Sequence, residues 1–385
     1  MKLNLHLIFP GFLCTLILAS ISGVGAVDGE IPIEDLIQRI ESGDASVRRT
    51  AVAQIARRGP EAQKAVPALI QVLRNADDSL VNQVGYTLQT IGASAVPGIT
   101  ELLKDGNQKA RLNAIGVLGR FGAAGAIATP LLISAMDDQN QEIRFAAVGV
   151  IAAIGPGAKA AIPRLIRGLD DPEPTIVTRS AIALGEIQVA SKEVQEALLR
   201  VLSSNEWPRW AHAVRPIGKL KITSALPRML ELLKVDQFNG RMFLIEAFRE
   251  MGSAGQVCIP ALIEVYNEQM RKSESVPADR SLRILLVGGI GHFAPPTKAQ
   301  VNFFAGRLSG PDARPAAEVL ARFGKEAAPA LPALLKVINT GNEGFQWYVR
   351  RCLLNIGTPA AMEGVRQMKL RSPLDSSPPF DRRIF

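Results

Sequence analysis

Residues 141–171 read QEIRFAAVGVIAAIGPGAKAAIPRLIRGLDD. Ile143, Ala147 and Ile151 recur at helical spacing, so one face of this segment is apolar. Gly155 stands where that helix should stop, because a residue without a β-carbon takes the left-handed backbone that closes a helix. Pro163 marks the next helical start, since a proline loses no hydrogen bond in the first turn, and Leu165 and Ile166 begin its apolar stripe. Asp170-Asp171 then reads as a turn whose carboxylates suit the free amides of a following helix.

Working outward, the same pattern recurs. Pro67, Pro97 and Pro130 precede paired apolar residues such as Leu69-Ile70 and Leu132-Ile133, with starts roughly 33 residues apart. Pro227, Pro260 and Pro332 continue the series, Glu196 and Val301 head degenerate copies, and Pro32 begins the first. The turns read Asp77-Asp78, Asp105-Gly106-Asn107 and Asp137-Asp138, and Gly59, Gly92, Gly122, Gly252 and Gly324 close second helices. Each unit therefore reads as a first helix, a turn and a second helix whose alanines permit close packing.

A unit of proline, paired apolar residues, an Asp turn, Val47-Arg48 or Ile143-Arg144 leading to an alanine, and a closing glycine resembles HEAT-like repeats, especially the short class also seen in phycobilisome lyases. The resemblance implies an all-α fold, an α-α superhelix of about ten two-helix repeats. It spans residues 27–361, with 362–385 as an extension that is largely disordered from about residue 371. Phe380, Ile384 and Phe385 are candidate docking residues of that tail, a bland extension being the simpler expectation. Such repeats serve scaffolds, lyases and other enzymes alike, so a lyase-like activity rests on repeat class alone.

Composition narrows the chemistry. Of 385 residues, 47% are hydrophobic and 21% charged, which supplies a core, while an aromatic share of 5% disfavours a β-sandwich or barrel. Three Cys and three His exclude a disulfide scaffold and leave little for a transition metal. Cys258 and Cys352 are expected to be separate buried thiols. There is no His-Glu dipeptide, no paired C-x-x-C and no G-x-S-x-G. Gly288-Gly289-Ile290-Gly291 lacks the following Lys-Ser/Thr of a phosphate loop. The expectation is a non-catalytic protein without metal or cofactor.

The amino terminus carries a compartment reading. Between Lys2 and Asp28 there is no charged side chain, Leu7 to Ala19 has the length of a signal-peptide apolar region, and Val24-Gly25-Ala26 precedes a suitable cut. Residues 1–26 are thus read as a signal peptide, and the chain as exported to a periplasm or the outside. Pro10, Gly11, Ser20 and Gly23 interrupt the run, so no stable transmembrane span is expected after cleavage. The alternative is a membrane anchor left uncleaved. The formal net charge of +8 is a mild bias toward anionic partners.

Candidate contact residues fall where the pattern breaks. The sixth unit carries Trp207, Arg209, Trp210, His212 and Arg215, and the last unit carries Trp347, Tyr348 and Arg350. Aromatic residues among cations suit an interface. Arg48, Arg111, Arg144, Arg179 and Arg241 sit in comparable parts of second helices and form an expected structural ladder with turn aspartates. The eighth unit has an insertion around residues 271–279. Together these suggest a scaffold binding a protein or peptide along its second-helix, concave face, with an anionic polymer, nucleic acid or a surface polysaccharide, as the alternative ligand.

Overall fold

The computed structural model describes residues 31–75, 78–234, 238–272 and 280–368. The signal-peptide reading, Asp77, most of the 271–279 insertion and the tail from residue 371 lie outside them. Among the described residues there is no strand, and the chain is a series of helix pairs.

The first and second helices of successive units are α1 (Ile33–Ser42) with α2 (Ala45–Arg58), α3 (Val66–Asn75) with α4 (Asp78–Ile91), α5 (Val96–Asp105) with α6 (Gln108–Leu118), α7 (Thr129–Ala135) with α8 (Gln141–Ile154), and α9 (Ile162–Gly168) with α10 (Pro174–Ile187). They continue as α11 (Lys192–Leu202) with α12 (Ala211–Lys219), α13 (Leu226–Lys234) with α14 (Phe238–Glu250), α15 (Ile259–Lys272) with α16 (Arg280–Ile290), α17 (Lys298–Ala305) with α18 (Ala313–Phe323), and α19 (Leu331–Lys336) with α20 (Glu343–Ile356). A last helix, α21 (Pro359–Gln367), packs on α20. In most of the array the second helices pack on one another more closely than the first helices do, as α8 does on α10 and α18 on α20, so the second helices form the tighter layer. The slightest of these contacts is between α16 and α18.

The glycine stops are present, with a different backbone from the one expected. Gly59, Gly122, Gly155 and Gly324 have φ of 55°, 50°, 66° and 63° with ψ near −130°. This is not the left-handed helical region but one that a β-carbon essentially forbids. After three of these stops runs a tight 3-10 segment that the sequence reading omitted: Gly59–Ala65, Gly155–Ala161 and Gly324–Ala330. Its signature is a period of three residues, since Ala62 with Ala65, Ala158 with Ala161, and Ala327 with Ala330 are all fully buried.

The turn aspartates also do other work than expected. Asp44 does cap α2, accepting from the Ser46 and Val47 amides at 2.8 and 2.9 Å. In the fourth unit, however, Asn140 caps α8, leaving Asp137 to pair with Arg164 at 2.8 Å and Asp138 with Arg111. In the fifth, Glu173 caps α10 and Asp170 reaches Arg200 at 2.9 Å. An uncharged or longer cap frees the shorter carboxylate to join neighbouring units.

The helical runs Gln108–Ala135 and Gln141–Gly168 are long and apolar enough to cross a membrane by length and composition. Their apolar side chains, among them Ile115, Leu132, Ile151 and Leu165, are buried against neighbouring units. Cys258 and Cys352 are free and buried, and burial pushes both thiols up to about 12. The glycines at the end of α16 are packing sites: a β-carbon on Gly289 would lie 2.8 Å from Ile245, and one on Gly291 would lie 2.7 Å from Val319.

Candidate functional site

A residue with positive φ follows every second helix except α16 and gives a common register. Counted back from Gly59, Gly122, Gly155 and Gly252, one position holds Arg48, Arg111, Arg144 and Arg241. In the fourth and seventh units the long side chain there turns back to carbonyls at the end of the first helix or in the turn of its own unit, which have no helical partner. Arg144 donates to the Asp138 and Gln139 carbonyls at 2.8 and 3.0 Å, and the buried Arg241 donates to the Leu233 carbonyl at 3.1 Å. Gln346 does the same in the last unit, donating to the Val337 carbonyl at 2.8 Å. Arg111 has the anticipated pair with an aspartate of the next unit, Asp138.

Arg179 falls off this register, where Val177 stands, and instead reaches back to the Phe145 carbonyl at 3.4 Å with its guanidinium 5.7 Å from that ring. In the second unit the position belongs to Val81. Arg144→Ala is expected to lower stability by about 1–2 kcal/mol, because two turn carbonyls lose a charged donor. Thermal unfolding checks this, and partner capture should stay unchanged since the side chain serves its own turn.

In the sixth unit the register position holds Trp210, which is 3% exposed and lies in the core. Gly240 makes room for it, as a β-carbon there would lie 2.7 Å from the indole. Trp207, in the turn before α12, meets Trp210 edge-on at 5.3 Å between ring centres and is half-buried. Its other side meets Phe243 of α14 at 6.1 Å. Phe243 is 37% exposed and the adjacent Met242 43% exposed, so Trp207 joins a solvent-facing apolar cluster that bridges two units. Sequence reading missed Phe243 and Met242; the available signal was a pair of apolar residues following the ladder arginine, Arg241.

The remaining sixth-unit candidates lie in or just before α12. Arg215 is exposed on α12, and Arg209 lies 3.8 Å from Asp170. His212 shares a 3.0 Å hydrogen bond with the Thr178 hydroxyl, and burial together with the Arg209 charge lowers its pKa. It therefore adds no positive charge at neutral pH. The arrangement offers a partly exposed aromatic anchor, which suits an apolar side chain of a partner.

The last-unit candidates form a separate group. Trp347 and Tyr348 meet edge-on at 5.0 Å, and Arg351 lies 5.1 Å over the Trp347 ring. Burial, and next the Glu318 charge, raise the Tyr348 pKa. Arg350, one turn from Trp347, is half-buried. Among the described residues no three His, Cys, Asp or Glu side chains gather as a metal site.

Comparison with known proteins agrees with this geometry. A family model of HEAT repeats matches residues 33–105, 96–185 and 129–213. No curated protein matches the chain in sequence. Among solved structures, importin beta in an ammonium sulfate condition shares 12% identity at a TM-score of 0.53, covering 86% of this chain and 53% of its own. This chain thus spans about half of that one, and the likeness is one of fold. An engineered protein (16% identity, TM-score 0.45) covers 85% of this chain and 99% of its own. A designed armadillo repeat protein in complex with the peptide (KR)4 (18% identity, TM-score 0.34) covers 57% of this chain and 99% of its own.

Proposed function

We propose, from the premise that this chain is an all-α solenoid of HEAT-like repeats, that it is an exported scaffold without catalysis, binding a protein or peptide through the second-helix face of its sixth and seventh units. Repeat scaffolds of this kind commonly bind proteins, and the fold is typical of non-catalytic ones. The observation that carries the reading is the contact of Trp207 with Phe243, aromatic rings partly open to water on two adjacent units, with the exposed Met242 next to Phe243 on α14 and the exposed Arg215 on α12. Exposed aromatic surface is typical of interface anchors. Export rests on the apolar segment Leu7 to Ala19 followed by Val24-Gly25-Ala26.

The anionic-polymer alternative has less support. Arg111, Arg144 and Arg241 direct donors at Asp138 and at turn carbonyls, which leaves few of them for a track of phosphates or sulfates.

The test is affinity capture from the envelope and extracellular fractions of the native cells, with quantitative mass spectrometry. Replacing both Trp207 and Phe243 by Ala is expected to abolish capture of the principal partner, since loss of an anchoring aromatic costs on the order of 2 kcal/mol at an interface. Equal yield from the double variant, with circular dichroism unchanged, refutes the site. Loss of binding in moderate salt for the unaltered chain points to a polymer ligand instead.

A further inference from the structure

Two grooves occupy equivalent places in the array, and their charges are opposite. The first, about 600 Å³, lies beside the turn between α7 and α8 and includes Arg111, Ser134, Asp137 and Asp138. Its carboxylates are engaged within the protein, Asp138 with Arg111 and Asp137 with Arg164. The second, about 500 Å³, lies beside the turn between α19 and α20.

Matching the two units at Pro130 and Pro332 puts Asn339 and Thr340 in the places of Asp137 and Asp138. Lys336 takes the place of Ser134, and in the preceding unit Ala313 takes that of Arg111 while Arg314 replaces Leu112. The acids have gone and two cations have arrived. Among the described residues that line this groove there is no carboxylate. Lys336 is exposed at its edge, Arg314 shares a hydrogen bond with Tyr348, and the buried Val337 and Phe345 give an apolar floor.

We propose that the groove between the ninth and tenth units binds an acidic segment of a partner protein. A glutamate or aspartate of that segment meets Lys336 and Arg314, in the role Asp138 plays inside the fourth unit, and an adjacent apolar side chain rests on Val337 and Phe345. Two cations flanking an apolar floor fit a carboxylate beside a hydrophobic residue; a polyanion has no use for the floor and wants a longer run of charge. A cavity of this size is within the range that holds small ligands and side chains. The site is independent of the Trp207 cluster.

The experiment uses the full chain and a fluorescein-labelled peptide, Gly-Glu-Leu-Glu-Phe-Gly, followed by anisotropy, with lysines replacing the glutamates as control. Saturable binding of the acidic peptide alone is expected. Lys336→Glu should weaken it by at least about tenfold, because a charge-assisted contact becomes a repulsion. Thr340→Asp, which restores an internal acid at the edge of the groove, should weaken it similarly while helical content by circular dichroism stays the same. Replacing Trp207 by Ala should leave this binding intact, which separates the two sites. No binding to the unaltered chain, equal binding to Lys336→Glu and Thr340→Asp, or binding of dextran sulfate without the peptide each overturns the proposal.

Discussion

Trp210→Ala is expected to destabilise the array by roughly 3–5 kcal/mol, the cost of emptying a large aromatic site in a packed core. The indole is 3% exposed, lies on the bare backbone of Gly240 and supports Trp207 at 5.3 Å. In a solenoid each unit is held only by its neighbours, so the damage should remain local and unfolding should become biphasic, with the first five units melting apart from the rest. Urea titration by circular dichroism, read beside the same titration of a Trp207→Ala variant, checks this. A single transition within about 0.5 kcal/mol of the unaltered chain would contradict the core assignment. Trp207 itself should cost much less, because much of its surface already faces water.

Asp312→Ala carries the second large effect. This carboxylate, 5% exposed at the start of α18, pairs with Arg283 at 3.1 Å and accepts the hydroxyl hydrogen of Tyr266. Arg307 completes the cluster, its guanidinium 3.7 Å from the Phe303 ring and 4.5 Å from that of Tyr266. Burial first, then the Asp312 hydrogen bond, push the Tyr266 phenol up to about 12. Removing the acid leaves the half-buried Arg283 guanidinium without its counter-charge and the Tyr266 hydroxyl without its acceptor, and about 2–4 kcal/mol should be lost. Tyr266→Phe, which removes one neutral donor, should cost about 1 kcal/mol. Replacing Arg283 by Met in the Asp312→Ala background should recover part of the loss, since the uncompensated charge then goes as well. Thermal melts of the three variants in that order test the ranking.

The repeat was legible in the sequence because three signals agreed in most units: a proline start, helical apolar spacing and a glycine stop. The ladder register was legible only where the stop is glycine. In the fifth and sixth units Gln188 and Lys221 take the positive-φ place, with φ of 58° and 53°. Counting from a glycine therefore fails there: the place expected for Arg179 belongs to Val177, and Trp210, a candidate contact residue in the sequence, fills the ladder position. The 3-10 segments were missed because a period of three in alanine is easily absorbed into a helical pattern. The charge inversion around Lys336 needed the two grooves side by side, since neither Asn339 nor Thr340 is unusual in a turn.

The slight contact between α16 and α18 has a mechanical meaning. A chain of stacked units pulled from its ends carries tension in series, and the link with the least shared surface yields first. Between the eighth and ninth units the second helices share little, so much of the load falls on the first-helix side, where the Tyr266 and Phe303 rings meet at 5.1 Å, and on discrete bonds, Arg283 to Asp312 and the Gln300 amide to the Ile290 carbonyl at 2.7 Å. Polar bonds of this length break over a shorter stretch than an interlocked apolar face. Under force the molecule would behave as two stiff springs joined by one brittle clasp, parting between residues 290 and 298 before either spring uncoils.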